Sequence, residues 1–452
     1  MKKLPSKIIS TGLTLGPGGV FILISMIVLA LTVDVSIVKI ASFTGGLNSS
    51  ENDIALFISI ALGCALGQYL ILKFVRTINE KNIMNNRLGI SRIQKWISII
   101  QCILMGILAS LILQMIFITS YNLLLVESVV YISFGTGSVL LGYLSYRLLL
   151  WFKSNHNLVL LTYSLAIIAI CINAVFTTIY VTSVLIDKPQ NIQSETAFVG
   201  NYTTLFDIPA QAYLISSIIS FIVTWVATVL LLRSYTTKLG SAIYWILVSI
   251  PLVYFLSQFG YAFLNIFTYF RISQPVLFGV VYSLFFSGTV PAGAILFGIA
   301  FWNISRHINR IVVKRYMIIS AYGIIIIFSS NQAYALIRVF YPPFGLISLS
   351  FFGLASYLIL IGIYSAAVSV AQDSELRKTI RHSVEVGILG EIGRSQAEAD
   401  IMNRINRVSM DLAAKSEEMN EFTGISTSLG KDEIKKYLEE VVEEIRKTKK
   451  IS

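Results

Sequence analysis

The sequence predicts an all-α protein, a polytopic transmembrane helix bundle of about ten helices that ends in a small C-terminal helical module. The first observation is composition: apolar residues make up 55% of the 452 residues, charged residues make up 13%, and the mean hydropathy is +0.75. A soluble domain cannot bury so much apolar surface, because even a large domain keeps a wide polar exterior. The composition also excludes a disordered chain, and three cysteines are too few for a disulfide scaffold.

The second observation is a series of apolar segments long enough to cross a bilayer. The hydrocarbon core is about 30 Å thick, so a spanning helix needs roughly 20 apolar residues. Ten segments qualify: Leu13–Ile40, Ile54–Val75, Trp96–Ile118, Leu125–Trp151, Leu158–Leu185, Ala210–Leu232, Ala242–Leu264, Pro275–Trp302, Tyr316–Ile337 and Leu346–Ala371. We therefore expect residues 1–372 to form the transmembrane helical bundle.

The third observation is the distribution of basic residues among the loops. Up to Gln372 the chain has 21 Lys and Arg against 8 Asp and Glu. If the N-terminus is cytoplasmic, 17 of these 21 basic residues lie on the cytoplasmic side, as the positive-inside rule requires. We therefore expect a plasma-membrane protein with both termini in the cytoplasm, whose partner is the lipid bilayer and not a nucleic acid. Asn48 and Asn201, which begin N-glycosylation triplets, then lie outside.

A charged tail begins at Asp373. Residues 373–452 hold 14 of the 35 Lys and Arg and 16 of the 24 Asp and Glu. Three glycines should interrupt the first helical stretch of this tail: Gly387, Gly390 and Gly393. Two helices are then predicted, Ser395–Phe422 and Lys431–Lys450, and the first carries its apolar residues on one broad side: Ile401, Ile405, Val408, Met410 and Leu412. We expect the tail to contact a cytoplasmic protein partner or to associate with itself.

Charged residues inside a membrane are costly and mark functional sites, and the spans contain few of them. Asp34 and Glu127 are expected in the outer third or at an edge, and Lys39 is expected to extend its side chain to the interface. All three histidines fall in segments predicted to be cytoplasmic. We therefore predict no catalytic residue, no metal site and no cofactor, and we expect the protein not to be an enzyme.

Neutral polar residues in the later spans suggest a candidate ligand cavity that opens to the outside. Its predicted residues are Gln258, Ser287, Thr289, Pro291, Asn331 and Gln332. The alternative is that such side chains only form hydrogen bonds between helices, as they often do in membrane bundles. Pro251 and Pro291 interrupt the seventh and eighth spans, which permits either a plain kink or an unwound segment of the kind that binds substrate in transporters.

Two further patterns concern packing. Pairs of small residues four apart permit close approach of helix backbones, which indicates a tight bundle: Gly63 with Gly67, Gly106 with Ser110, and Ser138 with Gly142. The segment Tyr341-Pro-Pro-Phe344 is expected at the outer face of the membrane, where its rings suit the lipid interface and its prolines end the ninth helix.

The candidate signalling junction comprises Ser369, Gln372 and Asp373. No Pro or Gly separates the tenth span from Leu376 and Ile380, so a continuous helix is expected to lead from the bilayer into the tail. The alternative is a span that simply ends in a solvated, charged segment. The leading hypothesis is a non-enzymatic sensor, receptor or scaffold with a role in signal transduction. The rival is a transporter or channel for a small neutral solute that uses the kinked seventh and eighth helices.

Four stretches carry a resemblance: Tyr341-Pro-Pro-Phe-Gly-Leu346, Gly362-Ile-Tyr-Ser365, Val370-Ala-Gln-Asp-Ser374 with Leu376-Arg-Lys378, and Ile434-Lys-Lys-Tyr-Leu-Glu-Glu-Val441. Together they resemble an uncharacterised group of archaeal multi-pass membrane proteins. The membrane part of that group is similar to the sensor regions that precede histidine kinases, which implies a sensory role without an assigned active site. The chain departs from a kinase, because no Gly-rich nucleotide loop follows His382 and the remaining segment is too short for an ATP-binding domain.

Overall fold

The predicted multi-pass helical architecture is confirmed by the computed structural model, which describes residues 17–44, 51–81, 90–186, 188–193, 207–264, 268–308, 310–332, 336, 341–373, 387–423 and 440. Ten helices in these ranges are long and apolar enough to cross a membrane. Their order along the chain is that of the predicted spans, and the fifth runs from Leu158 to Leu185 as predicted.

The helices and strands follow one another in chain order. The helices are α1 (Pro17–Thr44), α2 (Glu51–Lys81), α3 (Ile90–Ile118), α4 (Leu123–Asn155), α5 (Leu158–Leu185), α6 (Ile208–Leu232), α7 (Thr236–Leu239), α8 (Ser241–Leu264), α9 (Thr268–Ser273), α10 (Pro275–Ser287), α11 (Thr289–Arg306), α12 (Ile311–Ser330), α13 (Leu346–Gln372) and α14 (Gly387–Thr423). The strands are β1 (Ser120–Asn122) and β2 (Asn191–Gln193).

The two strands form an antiparallel ribbon in which Tyr121 pairs with Ile192. This ribbon is an addition to the predicted all-α fold, because strands of three residues are too short to produce a periodic pattern in the sequence. We call the end of the bundle that carries β1 and β2 the ribbon end. The opposite end, where α14 packs against α4 and α13, is the tail end.

Helix α13 is enclosed by the rest of the bundle. Its residues are buried without a break from Leu346 to Val368, with α1, α2, α3, α4 and α12 around it. The sequence permits this position, because α13 contains no charged residue and is apolar on every side, as a helix with no exposed face must be. The last span along the chain is therefore the core of the fold.

Small residues set the distance between α13 and its neighbours. A Cβ on Gly362 would lie 2.7 Å from the Tyr316 carbonyl oxygen, and a Cβ on Gly323 would lie 2.8 Å from the Ile359 nitrogen. The backbones of α12 and α13 thus touch at two levels. Most of the small residues that were predicted to let helix backbones approach closely do not lie at such contacts. A Cβ placed on Gly63, Gly106 or Gly142 would have nothing within 4 Å. Spacing alone does not indicate whether a small residue faces a helix or the lipid.

The first turn of α13 is capped by a carboxylate from another helix. Asp34 on α1 accepts hydrogen bonds at Oδ1 from the Gly345 N–H (3.0 Å) and at Oδ2 from the Ser348 hydroxyl (2.7 Å). Asp34 is 0% exposed, and this burial was not indicated by its expected place in the outer third of the membrane or at an edge. The physical reason is that the first N–H groups of a helix lack intrahelical partners and favour a negative charge, and here the surrounding helices keep water away.

The segment before α13 is also buried. Tyr341 stacks on Tyr121 with ring centroids 6.0 Å apart, and Phe344 meets Phe57 edge to face at 5.5 Å. Both rings are 0% exposed, so the expectation that they lie at the lipid interface was wrong. Burial raises the pKa of the Tyr121 and Tyr341 hydroxyls above the ordinary value for tyrosine. The ninth span ends at Ser330 and not near Tyr341, and the Ile327 carbonyl in its last turn accepts from both the Asn331 N–H and the Ser330 hydroxyl.

Replacing Gly362 with Ala should destabilise the bundle, because the new Cβ would lie 2.7 Å from backbone atoms of both Tyr316 and Ser320. Overpacking of this kind costs about 1–3 kcal/mol, so the variant should unfold at a lower temperature than the wild type in the same detergent. Gly142→Ala is the matched control, since its Cβ meets open space. Equal melting temperatures for the two variants would contradict the assigned contact.

Candidate functional site

A cavity of about 470 Å³ lies between helices at the ribbon end. It is lined by the last turns of α1, α5, α8 and α12 and by the first half of α6, together with α10 and the start of α11. Eight of its 19 lining residues are aromatic: Tyr180, Tyr213, Phe221, Phe255, Phe259, Tyr282, Phe286 and Phe328. The size and the apolar wall are typical of small-molecule sites.

Four of the six predicted cavity residues line this space, namely Gln258, Thr289, Asn331 and Gln332. The other two, Ser287 and Pro291, lie beside it in the eighth span, and both are buried without reaching the cavity wall. Predicted residues from α8, from α11 and from the end of α12 therefore meet at one cavity, as the distribution of neutral polar residues suggested.

Aromatic rings close the cavity on the side of the bundle interior. Phe221 stacks on Phe255 with centroids 3.8 Å apart and meets the edge of Phe328 at 6.1 Å. Behind them, Phe297 packs against Phe221 at 5.2 Å. Gly293 makes room for Phe221, because a Cβ there would clash with the ring. This ring cluster separates the cavity from the tail end of the bundle.

A hydrogen-bonded chain fixes one wall of the cavity. The Asn331 side-chain amide donates to Oδ1 of Asn173 (2.5 Å), and the Asn173 side-chain amide donates to the Ser216 hydroxyl (2.9 Å). The chain joins α12, α5 and α6. The sequence allowed two roles for polar residues in these spans, hydrogen bonding between helices and lining a cavity. Asn173 and Ser216 take the first role, and Asn331 takes both.

The eighth span divides at Gly288, where α10 ends and α11 begins. Pro291 causes the division, since it has no N–H to donate to the preceding turn. Side chains bond the carbonyls near the break: the Tyr254 hydroxyl donates to Phe285, and the Lys39 ammonium (2.9 Å) and Thr289 hydroxyl (2.9 Å) donate to Phe286. The break therefore borders the cavity, whereas α8 continues past Pro251 as one helix.

Lys39 is the site residue that the sequence analysis missed. It was expected to extend to the interface, but it is 6% exposed and lines the cavity. The cavity and the carbonyl of Phe286 supply the polar surroundings that its ammonium would otherwise seek outside. A charged residue in an apolar span can indicate a functional site, and Lys39 is such a residue. A lysine near the end of a span, however, is ordinarily explained by a side chain long enough to reach the membrane interface.

The candidate junction at the tail end differs from its prediction. Helix α13 ends at Gln372, and Asp373 is extended and pairs with Arg310 (3.1 Å). The expected continuous helix through Asp373 was therefore wrong. The pair is partly exposed and contributes little to stability, but it marks the place where the chain leaves the helix. Ser369 is half-buried and Gln372 is exposed, and residues 374–386 lie outside the described ranges.

Helix α14 packs back against the tail end. The Ser395 hydroxyl donates to the Trp151 carbonyl (3.1 Å), and the Trp151 indole N–H donates to the Gln396 side chain (3.1 Å). Leu389 and Ile392 are buried in the same contact. Gly390 and Gly393 do not interrupt this helix, contrary to expectation. Gly393 instead lies in close contact with α13, where a Cβ would be 2.8 Å from the Val370 Cβ.

The predicted apolar side of the tail helix faces outward for the most part. Ile405 is buried, but four neighbours are exposed: Ile401, Val408, Met410 and Leu412. The predicted helix Lys431–Lys450 lies outside the described ranges except for Glu440. Within the described ranges, no three His, Cys, Asp or Glu side chains are grouped so that they could hold a metal ion.

Comparison of the chain with protein-family models, curated proteins and solved structures finds no match. The geometry of the cavity and of the tail junction is therefore the basis for assigning a function.

Replacing Gly393 with Leu should release the tail helix from the bundle, because a Cβ there already lies 2.8 Å from the Val370 Cβ. We expect faster amide hydrogen exchange over residues 387–400, with little change in the exchange of α12. Ala414→Leu, at an exposed position of the same helix, is the control and should exchange like the wild type. Unchanged protection of residues 387–400 in Gly393→Leu would show that the contact is not close.

Proposed function

We propose that the protein is a membrane receptor that binds a small molecule at the ribbon end and reports this binding through the tail helix at the opposite end. In this proposal the ribbon end faces outward from the plasma membrane, both termini are cytoplasmic, and residues 373–452 form a cytoplasmic module that contacts a protein partner or a second copy. The observation that carries the proposal is the aromatic cavity, which is closed toward the tail end by the Phe221 cluster.

The charge distribution supports this orientation. Basic residues of the described ranges gather at the tail end: Lys73, Arg76, Arg147, Lys153, Arg233, Lys238, Arg306, Arg310, Lys314 and Arg315. Lysines and arginines near span ends favour the cytoplasmic side. The cavity would then be reached from outside or from the outer half of the bilayer.

A continuous set of packed helices supports communication between the two ends. Helix α12 contributes Phe328 to the cavity wall, and the two residues that follow the helix, Asn331 and Gln332, also line it. The same helix touches α13 at Gly323 and Gly362, and α13 contacts α14 where Val370 meets Gly393. A small displacement of α12 by a ligand would move α13, because close-packed helices do not deform independently. In this proposal the contact of α12 with α13 and the contact of α13 with α14 link the cavity to the tail, in place of the continuous helix that the sequence suggested.

The coupling can be measured with N-phenylnaphthylamine, a neutral aromatic dye whose fluorescence rises in apolar sites. Spin labels would be placed at Lys153→Cys on α4 and Lys415→Cys on α14, in a variant whose three native cysteines are replaced by Ala. We expect saturating dye to shift the distance between the labels by more than about 2 Å, the scale of helix displacements in switching proteins.

The matched control for this experiment is Ser217→Phe, which places a ring in the cavity. This variant should bind less dye and show no shift when dye is added. The receptor proposal fails if the dye binds the wild type no better than Ser217→Phe. It also fails if the dye binds but the label distance stays the same.

A second candidate function is transport of a small solute, and the helix break at Gly288 favours it. Interrupted helices at a cavity are typical of transporter substrate sites, since the carbonyls released there can bind a ligand. Here, however, side chains of Lys39, Tyr254 and Thr289 already bond those carbonyls. The closed ring cluster is the expected state of a receptor, but a transporter would have to open it.

Accessibility of a single cysteine separates the two candidates. In the cysteine-free background, Thr289→Cys should react with a membrane-impermeant maleimide added from outside and should resist the same reagent in inverted vesicles. Lys188→Cys and Lys153→Cys are the controls for the outer and inner faces. Labelling of Thr289→Cys from both faces would indicate alternating access and favour the transporter.

A further inference from the structure

We propose that the ligand of the cavity is a neutral, flat heterocycle of the cyclic amide or ureide type, which carries N–H donors beside carbonyl acceptors on its edge. This inference rests on the proposed function, because it assigns a chemical class to the small molecule that the receptor would bind. It is carried by side-chain amides that lack hydrogen-bond partners and that share one cavity with stacked aromatic rings.

Gln258 on α8 is the first observation. It lines the cavity and is half-buried, and its side-chain amide makes no hydrogen bond within the described ranges. Amides in membrane spans ordinarily bond a neighbouring helix, because a polar group without a partner is costly in an apolar setting. A primary amide holds a donor and an acceptor side by side, so it complements a ligand edge with one N–H and one carbonyl.

An acceptor without a donor is the second observation. The Asn173 side-chain nitrogen donates to the Tyr213 backbone carbonyl (3.4 Å), which can only accept, so Oδ1 of Asn173 is the atom that faces Asn331. The Asn331 nitrogen must then point toward Asn173. Oδ1 of Asn331 is buried and has no hydrogen-bond partner in the part of the chain that the structure describes. A ligand with a second N–H that enters beside Asn331 would supply the missing donor.

The groups that remain for a ligand indicate its charge. The amides of Gln258 and Asn331 are uncharged. Lys39 lines the same cavity, but its ammonium donates to the Phe286 carbonyl (2.9 Å) and takes part in further interactions within the protein. An ionised ligand would have to lose its hydration against the aromatic wall, whereas a neutral cyclic amide loses less and regains hydrogen bonds from the side-chain amides. The site therefore favours a neutral ligand.

The aromatic wall indicates the body of the ligand. Tyr180 and Tyr213 stack with centroids 5.1 Å apart, and Phe221 and Phe255 stack at 3.8 Å, so two flat surfaces border the space. Flat rings pack favourably on flat unsaturated groups. A ureide fused to an aromatic ring holds its polar edge and its apolar body in one plane, so a single molecule can reach the amides while it lies against the rings.

The test uses quinazolinedione, which has two N–H groups, and its N,N′-dimethyl derivative, which has none. Each would compete with N-phenylnaphthylamine for the full-length protein in nanodiscs of neutral lipid, with empty nanodiscs as background. We expect the wild type to bind quinazolinedione at least about tenfold more tightly than the dimethyl derivative, because methylation leaves buried acceptors without donors. This comparison of two probes on the wild type requires no variant.

Gln258→Met then assigns one of the contacts. It should keep the wild-type melting temperature, since no hydrogen bond of the described ranges is lost, and it should reduce the preference for quinazolinedione at least about threefold. Gln274→Met makes the same change at an exposed residue outside the cavity lining and should leave the preference as in the wild type.

Three results would overturn the assigned ligand class while leaving the receptor proposal in place. They are equal binding of both probes to the wild type, failure of quinazolinedione to displace a dye that Ser217→Phe excludes, and an undiminished preference in Gln258→Met. If N-phenylnaphthylamine itself binds the wild type no better than Ser217→Phe, the cavity is not a binding site and the proposed function fails as well.

Discussion

The fold depends on hydrogen-bond acceptors for the first backbone N–H groups of α13, because the start of this helix has no access to water. Helix α13 is enclosed along its length, so the N–H groups of its first turn cannot be solvated and must find a partner within the protein. Asp34 provides that partner, and the negative charge also matches the positive end of the helix dipole. A carboxylate buried in a membrane is costly by itself, but here its three hydrogen bonds offset the cost. The cap fixes α1 against α13.

The position of α1 in turn places Lys39. Once Asp34 holds α1 to the core helix, the residue five positions later faces α10, where the eighth span divides beside Pro291. The ammonium bonds a carbonyl next to the break and at the same time borders the cavity. Helix α1 thus carries both Asp34, which caps the core helix, and Lys39, which makes a polar contact at the proposed ligand site. The enclosed position of α13 also requires the glycine contacts with α12, since only a hydrogen at Cα lets the two backbones meet.

Much of the fold could be predicted from the sequence, because the cost of placing polar groups in hydrocarbon makes each span visible as an apolar run. The cavity residues were visible for the related reason that Gln258, Thr289 and Asn331 are conspicuous in apolar helices. The burial of Asp34 and Lys39 could not be predicted, because both lie near a span end where exposure is the simpler explanation. The contacts of Gly362 and Gly393 were missed because glycine spacing does not reveal which helix is opposite.

The end of α13 at Gln372 changes how the two ends of the protein can be linked. A continuous helix would transmit a shift along its own axis into the tail, whereas α14 is held by side-to-side contacts with α13 and α4, among them the contact at Gly393. Packing of this kind has two discrete states, docked and released, because interdigitated side chains separate cooperatively. The polar contacts of Trp151 with Ser395 and Gln396 limit the docked state to one register. If the cavity controls the tail, it therefore does so by favouring docking or release of α14, with α12 and α13 as the connection.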